Sequence, residues 1–196
     1  MIFNEKALMR LIKRYFKSGL IYGCDDERYL FGGGYWRAAI DINKTPKIIT
    51  GELLKMTGII PTPGTYLSID KDNLVQYAFT DPQEFTLWNE DSLIPLKVTP
   101  VIYGESERIC IDSNLNTYGI NQSFLDVLDQ DSITDEEEKF RGPFYDEYNE
   151  KFIWFNDLCV FKVWDSIKQR ERTEGRSAID SIAGKLPSDL HYTFHG

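Results

Sequence analysis

The chain has 196 residues, of which 42% are hydrophobic, so it is long enough to bury a sizeable core in one folded unit. Its formal net charge of -9 argues against non-specific binding to nucleic acid or to an anionic membrane, because both need a basic surface. The three cysteines show no metal or redox spacing and no apolar run could cross a bilayer, which is typical of a cytoplasmic protein with reduced thiols.

A helix is predicted over about residues 5–18, where apolar residues recur at helical spacing. Asn4 is suited to cap its first turn, and Gly19 is suited to end it. The polar side of this helix is basic and carries Arg10, Lys13, Arg14 and Lys17. These cations either solvate the outer face or provide a contact surface, for DNA or for the acidic part of a second copy in a homodimer.

Three strands, a short helix and a hairpin are predicted for the first half of the chain. The expected strands are residues 20–23, 28–31 and 35–41. Thr50 is expected to cap the helix, which ends near Gly58. The hairpin is expected over 67–79, around a polar turn.

The second half is predicted to follow a similar order. Its expected extended segments are 85–88, 96–103 and 108–112. Pro95 and Pro100 indicate an edge strand, because proline cannot donate a hydrogen bond to a sheet ladder. Asn121 is expected to cap a second short helix that ends near Leu128. The remaining predicted elements are an acidic insertion over 129–150, a hairpin over 152–164 and a helix over 165–183.

Two similar tripeptides predict an internal duplication. Ile21-Tyr22-Gly23 and Ile102-Tyr103-Gly104 are each followed by a charged turn, a capped short helix and a hairpin. We therefore expect two pseudo-repeats, over about 20–80 and 101–164, within a single compact unit over 1–196. The expected fold class is α+β, with a mainly antiparallel sheet, short flanking helices, and helices near both the N- and C-termini.

A strand, a short helix and a hairpin, present twice in one chain, resemble the βαβββ unit of DNA sliding clamps. The segments that carry this resemblance are 49–56 with 67–79 and 120–127 with 152–164. The resemblance implies an accessory role in DNA replication or recombination. Clamp helices of this kind carry basic residues toward DNA, whereas the second helix here carries Asp126 and no cation, so DNA contact would use the basic N-terminal helix instead.

No residue pattern indicates a catalytic set. Gly32-Gly33-Gly34 lacks the spacing of a phosphate-binding loop and is expected to be a turn or bulge. His191 and His195 lie at the chain end without a third ligand nearby, and Cys24 precedes acidic residues that would raise its pKa. We therefore predict no catalytic, metal-binding or cofactor-binding residues and a protein that is not an enzyme.

The negative charge is concentrated in one stretch. Residues 126–150 carry ten acidic and two basic side chains, a net charge of -8. Such a stretch is either a solvated loop or a surface whose carboxylates and aromatic rings imitate a nucleic-acid backbone. In the second case the partner-binding residues would be Asp135, Glu136, Glu137, Glu138, Tyr145, Asp146, Glu147, Tyr148 and Glu150.

These observations predict a non-enzymatic, acidic protein-interaction module. The expected partner is a protein with a basic surface, such as a nucleic-acid-binding enzyme, and direct binding of nucleic acid or membrane is not expected. The small size and the abundance of Tyr, Asn, Ile and Lys are similar in style to phage and mobile-element accessory proteins, including inhibitors of the anti-CRISPR type. The alternatives are a clamp-like DNA accessory protein and an enzyme of unrecognised type.

Overall fold

A computed structural model describes residues 3–70, 73–78, 83–86, 89–128 and 139–165. This part of the chain forms antiparallel sheets flanked by short helices, so the predicted α+β class is confirmed. The strands are β1 (Leu20–Cys24), β2 (Arg28–Gly33), β3 (Trp36–Asp41), β4 (Thr65–Asp70), β5 (Asn73–Ala78), β6 (Leu93–Pro95), β7 (Lys97–Tyr103), β8 (Glu107–Ile111), β9 (Thr117–Asn121), β10 (Arg141–Asp146), β11 (Lys151–Phe155) and β12 (Cys159–Trp164).

The α-helices of the described residues are short. They are α1 (Glu5–Tyr15), α2 (Lys47–Thr57), α3 (Gln83–Thr86) and α4 (Gln122–Leu125). Asn4 caps α1 as predicted, because its Oδ1 accepts the backbone N–H of Ala7 at 3.0 Å. None of these helices is long and apolar enough to span a bilayer.

Nine strands form the larger sheet in the order β5-β4-β1-β2-β3-β12-β11-β10-β6, and each neighbouring pair is antiparallel. The pairing of β3 with β12 joins the first half of the chain to the last described strands. The smaller sheet has the order β7-β8-β9. Pro95 lies in β6 and Pro100 in β7, which are edge strands of the two sheets, so this prediction is confirmed.

One core lies between the larger sheet, the helices and the smaller sheet. On β3, Trp36, Ala38 and Ile40 point into it with the two-residue period of a strand. Leu8 and Ile12 of α1 cover them from the helical side. Further members come from α2, α4 and the smaller sheet, including Leu53, Phe124, Cys110, Tyr118 and Ile120. The two sheets therefore share one hydrophobic interior.

Three predictions for individual elements are wrong. Residues 85–88 were expected to be extended, but Phe85 lies in α3 and packs against Leu30 and Ala39 on the other face of the larger sheet. Thr50 does not cap α2, which begins three residues earlier; its Oγ1 donates to the carbonyl of Lys47 at 3.1 Å. Strand β9 was missed, because the turn before it carries no glycine or proline.

The predicted acidic insertion does not extend to residue 150. Residues 141–146 form β10, which pairs with β11 on one side and β6 on the other. Gly142 and Pro143 are joined by a cis peptide and lie at an irregularity in the β10–β11 register. Residues 129–138 and the predicted helix over 165–183, beyond Asp165, lie outside the described residues.

We expect opposite effects from alanine at two glycines. A Cβ on Gly33 would lie 2.5 Å from both Tyr15 Cδ1 and Trp36 Nε1, so Gly33→Ala lowers the free energy of unfolding by about 1–3 kcal/mol. A Cβ on Gly51, inside α2, meets no atom within 4 Å, so Gly51→Ala raises this free energy by about 1 kcal/mol. Urea denaturation measures both changes. A Gly33→Ala variant as stable as the wild type would contradict the packing around β2.

Candidate functional site

Two turns and the last described residue meet at one end of the two sheets. The turn between β8 and β9 carries Asp112, and the turn between β10 and β11 carries Asp146, Glu147 and Glu150. The backbone N–H of Asp165 donates to the carbonyl of Glu150 at 3.0 Å, which places a fifth carboxylate beside these turns. We call this region the acidic end: Asp112, Asp146, Glu147, Glu150 and Asp165.

A pair of tyrosines lies beneath the acidic end and joins the two sheets. Tyr118 belongs to β9 and Tyr145 to β10, and their ring centroids are 4.3 Å apart. The hydroxyl of Tyr118 donates to Asp112 Oδ2 at 3.2 Å, and the hydroxyl of Tyr145 donates to Asp165 Oδ2 at 3.3 Å. All four side chains are buried. Each buried carboxylate thus accepts a hydrogen bond from a phenol of the contact between the sheets.

This environment keeps the phenols protonated. Burial raises the pKa of Tyr118 and of Tyr145 well above its usual value, and the carboxylates of Asp112 and Asp165 raise it further. The thiol of Cys110 on β8 lies near Asp165, and burial raises its pKa to about 12. A protonated, buried thiol is a poor nucleophile, so Cys110 has the character of a core residue.

The tip of the β10–β11 hairpin has a fixed shape. Asp146 Oδ1 accepts the backbone N–H of Asn149 at 3.0 Å, and Asp146 Oδ2 accepts the side-chain amide of Asn149 at 2.7 Å. Glu150 closes the turn with a φ of 53°, in the left-handed region. These bonds hold the backbone while Tyr148 projects outward with 94% of its surface exposed.

Only part of the predicted partner-binding set lies on the surface. Glu147 and Tyr148 are exposed, and Glu150 is half-buried. Tyr145 and Asp146 are buried, so the prediction that they contact a partner is corrected: the first binds Asp165 inside the protein and the second caps the turn. The other predicted residues, Asp135, Glu136, Glu137 and Glu138, lie outside the described residues.

Sequence reasoning missed Asp112, Tyr118 and Asp165 as members of this site. The pattern Asp112-Ser-Asn-Leu-Asn116 indicates a turn, because Asp, Ser and Asn favour turns. In the structure, Asp112 Oδ1 accepts the backbone N–H groups of Asn114 and Asn116 at 2.8 and 2.9 Å. No local pattern shows that this turn lies beside the β10–β11 turn. That proximity arises from the packing of one sheet on the other.

The basic side of α1 is exposed as predicted, and some of its charge is already paired. Lys13 Nζ lies 3.4 Å from a carboxylate oxygen of Glu52 on α2. Arg14 Nη1 donates to the hydroxyl of Ser123 at 3.3 Å. The side chains of Arg10 and Lys17 are also exposed. Three of the four predicted cations thus lie on α1 and Lys17 lies just beyond its end, with a carboxylate from α2 beside Lys13.

Within the described ranges, no group of three or more His, Cys, Asp or Glu side chains is arranged to hold a metal ion. The three cysteines are buried free thiols. Burial, followed by the charges of Asp25 and Asp26, raises the pKa of Cys24, in the predicted direction. His191 and His195 lie outside the described residues.

The buried phenols predict a loss of stability in alkali. Their pKa values are raised in the folded state, so folding favours the protonated form; the stabilisation is complete below the ordinary value of 10.0 and is lost as the pH rises above it. We expect the free energy of unfolding to fall between about pH 10 and 11, and to fall less steeply in Tyr145→Phe. Tyr148→Phe, which removes an exposed hydroxyl, is the control. Equal slopes for wild type and Tyr145→Phe in pH-dependent urea denaturation would contradict this assignment.

The chain was compared with family models, curated proteins and solved structures, and none of them matches it.

Proposed function

We propose that this chain is a non-enzymatic protein-interaction module of the cytoplasm, which binds a basic surface of a nucleic-acid-handling protein through its acidic end. The observation that carries the proposal is Tyr148, which is 94% exposed at the tip of a turn that hydrogen bonds hold in place. Glu147 is exposed beside it. A rigid exposed aromatic ring flanked by carboxylates suits a contact with Lys and Arg side chains.

Tyrosine in such a position is a good binding residue. It provides a large contact area and loses little conformational entropy on binding, because it has two side-chain torsions. Tyrosine is also enriched among the residues that contribute most to binding energy at interfaces. Since the turn is already ordered by Asp146 and Asn149, binding requires little further ordering of the backbone.

The charge of the acidic end supports the choice of partner. Five carboxylates are gathered around two turns, and those of Asp112 and Asp165 lie behind the exposed surface. A concentration of one sign of charge speeds the approach of an oppositely charged surface and disfavours partners of the same sign. The net charge of -9 acts in the same direction.

The resemblance in style to anti-CRISPR inhibitors adds the finer part of the proposal. In that form, the acidic end takes the place of a nucleic-acid backbone in the basic groove of a phage-defence nuclease. Asp135, Glu136, Glu137 and Glu138 belong to the proposal as additional carboxylates on the same stretch of sequence. A protein of this kind inhibits by occupying the groove and needs no chemistry of its own.

We also propose that the two halves are duplicated units over about 20–80 and 101–164. Both halves begin with three strands and a helix and end with a hairpin, β4–β5 or β11–β12, although β10 precedes the hairpin in the second half. The two Ile-Tyr-Gly sequences lie at or near the end of the first strand, β1 or β7. The pairing differs, because β4 returns to β1 within the larger sheet whereas β10 leaves the smaller sheet. The proposed duplication concerns the order of the elements and not their pairing.

The proposed contact is tested with purified nucleic-acid-binding nucleases, assayed for binding by interferometry. We expect at least one such enzyme to bind the wild type, and expect Tyr148→Ala and Glu147→Gln each to weaken that binding by about tenfold, or about 1.4 kcal/mol. Tyr35→Ala is the matched control, since Tyr35 is 53% exposed at the turn between β2 and β3. Binding that is equally strong in all three variants would contradict the contact, and so would no binding to any enzyme tested.

A second candidate function is a DNA accessory role through α1, favoured by the exposure of Arg10, Lys13 and Arg14 on this helix and of Lys17 just beyond its end. It predicts binding of duplex DNA that weakens as salt rises, because cations that neutralise phosphates release counterions. The triple variant Arg10→Ala, Lys13→Ala, Arg14→Ala loses this binding, whereas Lys97→Ala, on β7, retains it. Fluorescence anisotropy with labelled duplex measures the affinity. An absence of binding at low ionic strength excludes this role.

A further inference from the structure

A groove of about 740 Å³ lies between the two sheets, and none of the residues of the acidic end lines it. Its wall from the smaller sheet includes Val98 and Pro100 of β7, and its wall from the larger sheet includes Pro143 and Trp154. Leu125 of α4 lines it as well. A cleft of this size that combines apolar and polar side chains, at the junction of two layers, is a candidate small-molecule site.

Among the described residues that line the groove, the cation is Arg108. Arg108 of β8 is half-buried and lines it together with Gln122. The Nε of Arg108 donates to Gln122 Oε1 at 2.9 Å, and its Nη1 donates to the carbonyl of Pro100 at 2.8 Å. A weaker bond joins Nη1 to the carbonyl of Thr99 at 3.5 Å. These bonds fix the guanidinium plane against the bulged strand β7.

Within the described part of the chain, the charge of Arg108 is not paired with a carboxylate. Among the described residues, the hydrogen bonds of its guanidinium use Nε and Nη1 and end on neutral oxygens. The carboxylate that continues this chain is Asp126, which accepts from Gln122 Nε2 at 2.9 Å. Nη2 carries two more N–H groups, and a guanidinium held in a plane is suited to bind a carboxylate.

We propose that the groove binds a small carboxylic acid with an apolar body, whose carboxylate contacts Arg108 and whose chain lies against Leu125, Pro143 and Trp154. Arg108 is the reason that the proposed ligand carries an acidic group, because a half-buried guanidinium gains most from a ligand of the opposite charge. The apolar side chains among the walls account for the rest of the ligand, because they gain from being removed from water.

The groove is a different surface from the one that carries the proposed function. The groove is lined by β7, β8, α4, β10 and β11, and its residues are not those at the hairpin tip. A protein that fails to bind a nuclease through Tyr148 can still bind a hydrophobic acid here, and the reverse also holds. The two proposals therefore succeed or fail independently.

The direct test is a titration of the full-length wild type with octanoate and with octanamide. Two-dimensional NMR follows the amide signals of the protein. The two probes have the same chain and differ in charge, so no substitution is needed to detect the role of Arg108. We expect octanoate to shift the amide signals of Leu125, Arg108 and Trp154, and to bind about tenfold more tightly than octanamide.

Variants then localise the site. Arg108→Gln is expected to abolish the preference for octanoate over octanamide, and Leu125→Ala is expected to weaken both probes. Leu115→Ala is the matched control, since Leu115 is 61% exposed and is not part of the groove. If octanoate and octanamide bind the wild type equally, if octanoate does not bind at millimolar concentration, or if its shifts map elsewhere, the proposal is overturned.

Discussion

The contact between Tyr118 and Tyr145 is the constraint on which the arrangement of this protein depends. It is a junction between the smaller and the larger sheet, and each ring brings a hydroxyl to a buried carboxylate. Each hydrogen bond fixes its tyrosine within its own sheet, since a buried carboxylate that loses a donor costs about 1–3 kcal/mol. The contact between the two fixed rings then ties the position of each sheet to that of the other. The raised pKa of both phenols follows from the same burial.

The position of the exposed hairpin tip depends on the buried contact between the sheets. Asp165 bonds Tyr145 through its side chain and Glu150 through its backbone, and so connects the interior to the turn that carries Tyr148. The carboxylates that give this end its charge are partly those that the sheet junction requires. Structure and proposed binding therefore depend on the same residues, and a substitution such as Asp165→Asn alters both. The substitutions that separate the two effects are those at Glu147 and Tyr148, which are exposed.

The sequence correctly predicted the elements that depend on interactions between residues close together in the chain. The cap at Asn4 depends on residues within three positions of it. The turn of the hairpin predicted over 152–164 depends on Asn156, whose side chain accepts the backbone N–H groups of Leu158 and Cys159. Tyr145 was assigned to the surface because its neighbours are acidic, whereas its burial depends on Tyr118, which is remote in sequence. Phe85 was expected in a strand, but its contact with Leu30 and Ala39 lies across the sheet. Long-range packing decides these positions, and sequence spacing does not report it.

Amide hydrogen exchange at the hairpin tip in Tyr145→Phe measures whether the buried tyrosine–aspartate pair holds the acidic end. The amides to follow are those of Asn149, which donates to Asp146 Oδ1, and Asp165, which donates to Glu150. We expect both to exchange about tenfold faster in the variant, while that of Phe16, bonded to Ile12 in α1, keeps its rate. Unchanged exchange at Asn149 and Asp165 would show that the tip is held without the tyrosine, and would contradict the role assigned to the contact between the sheets.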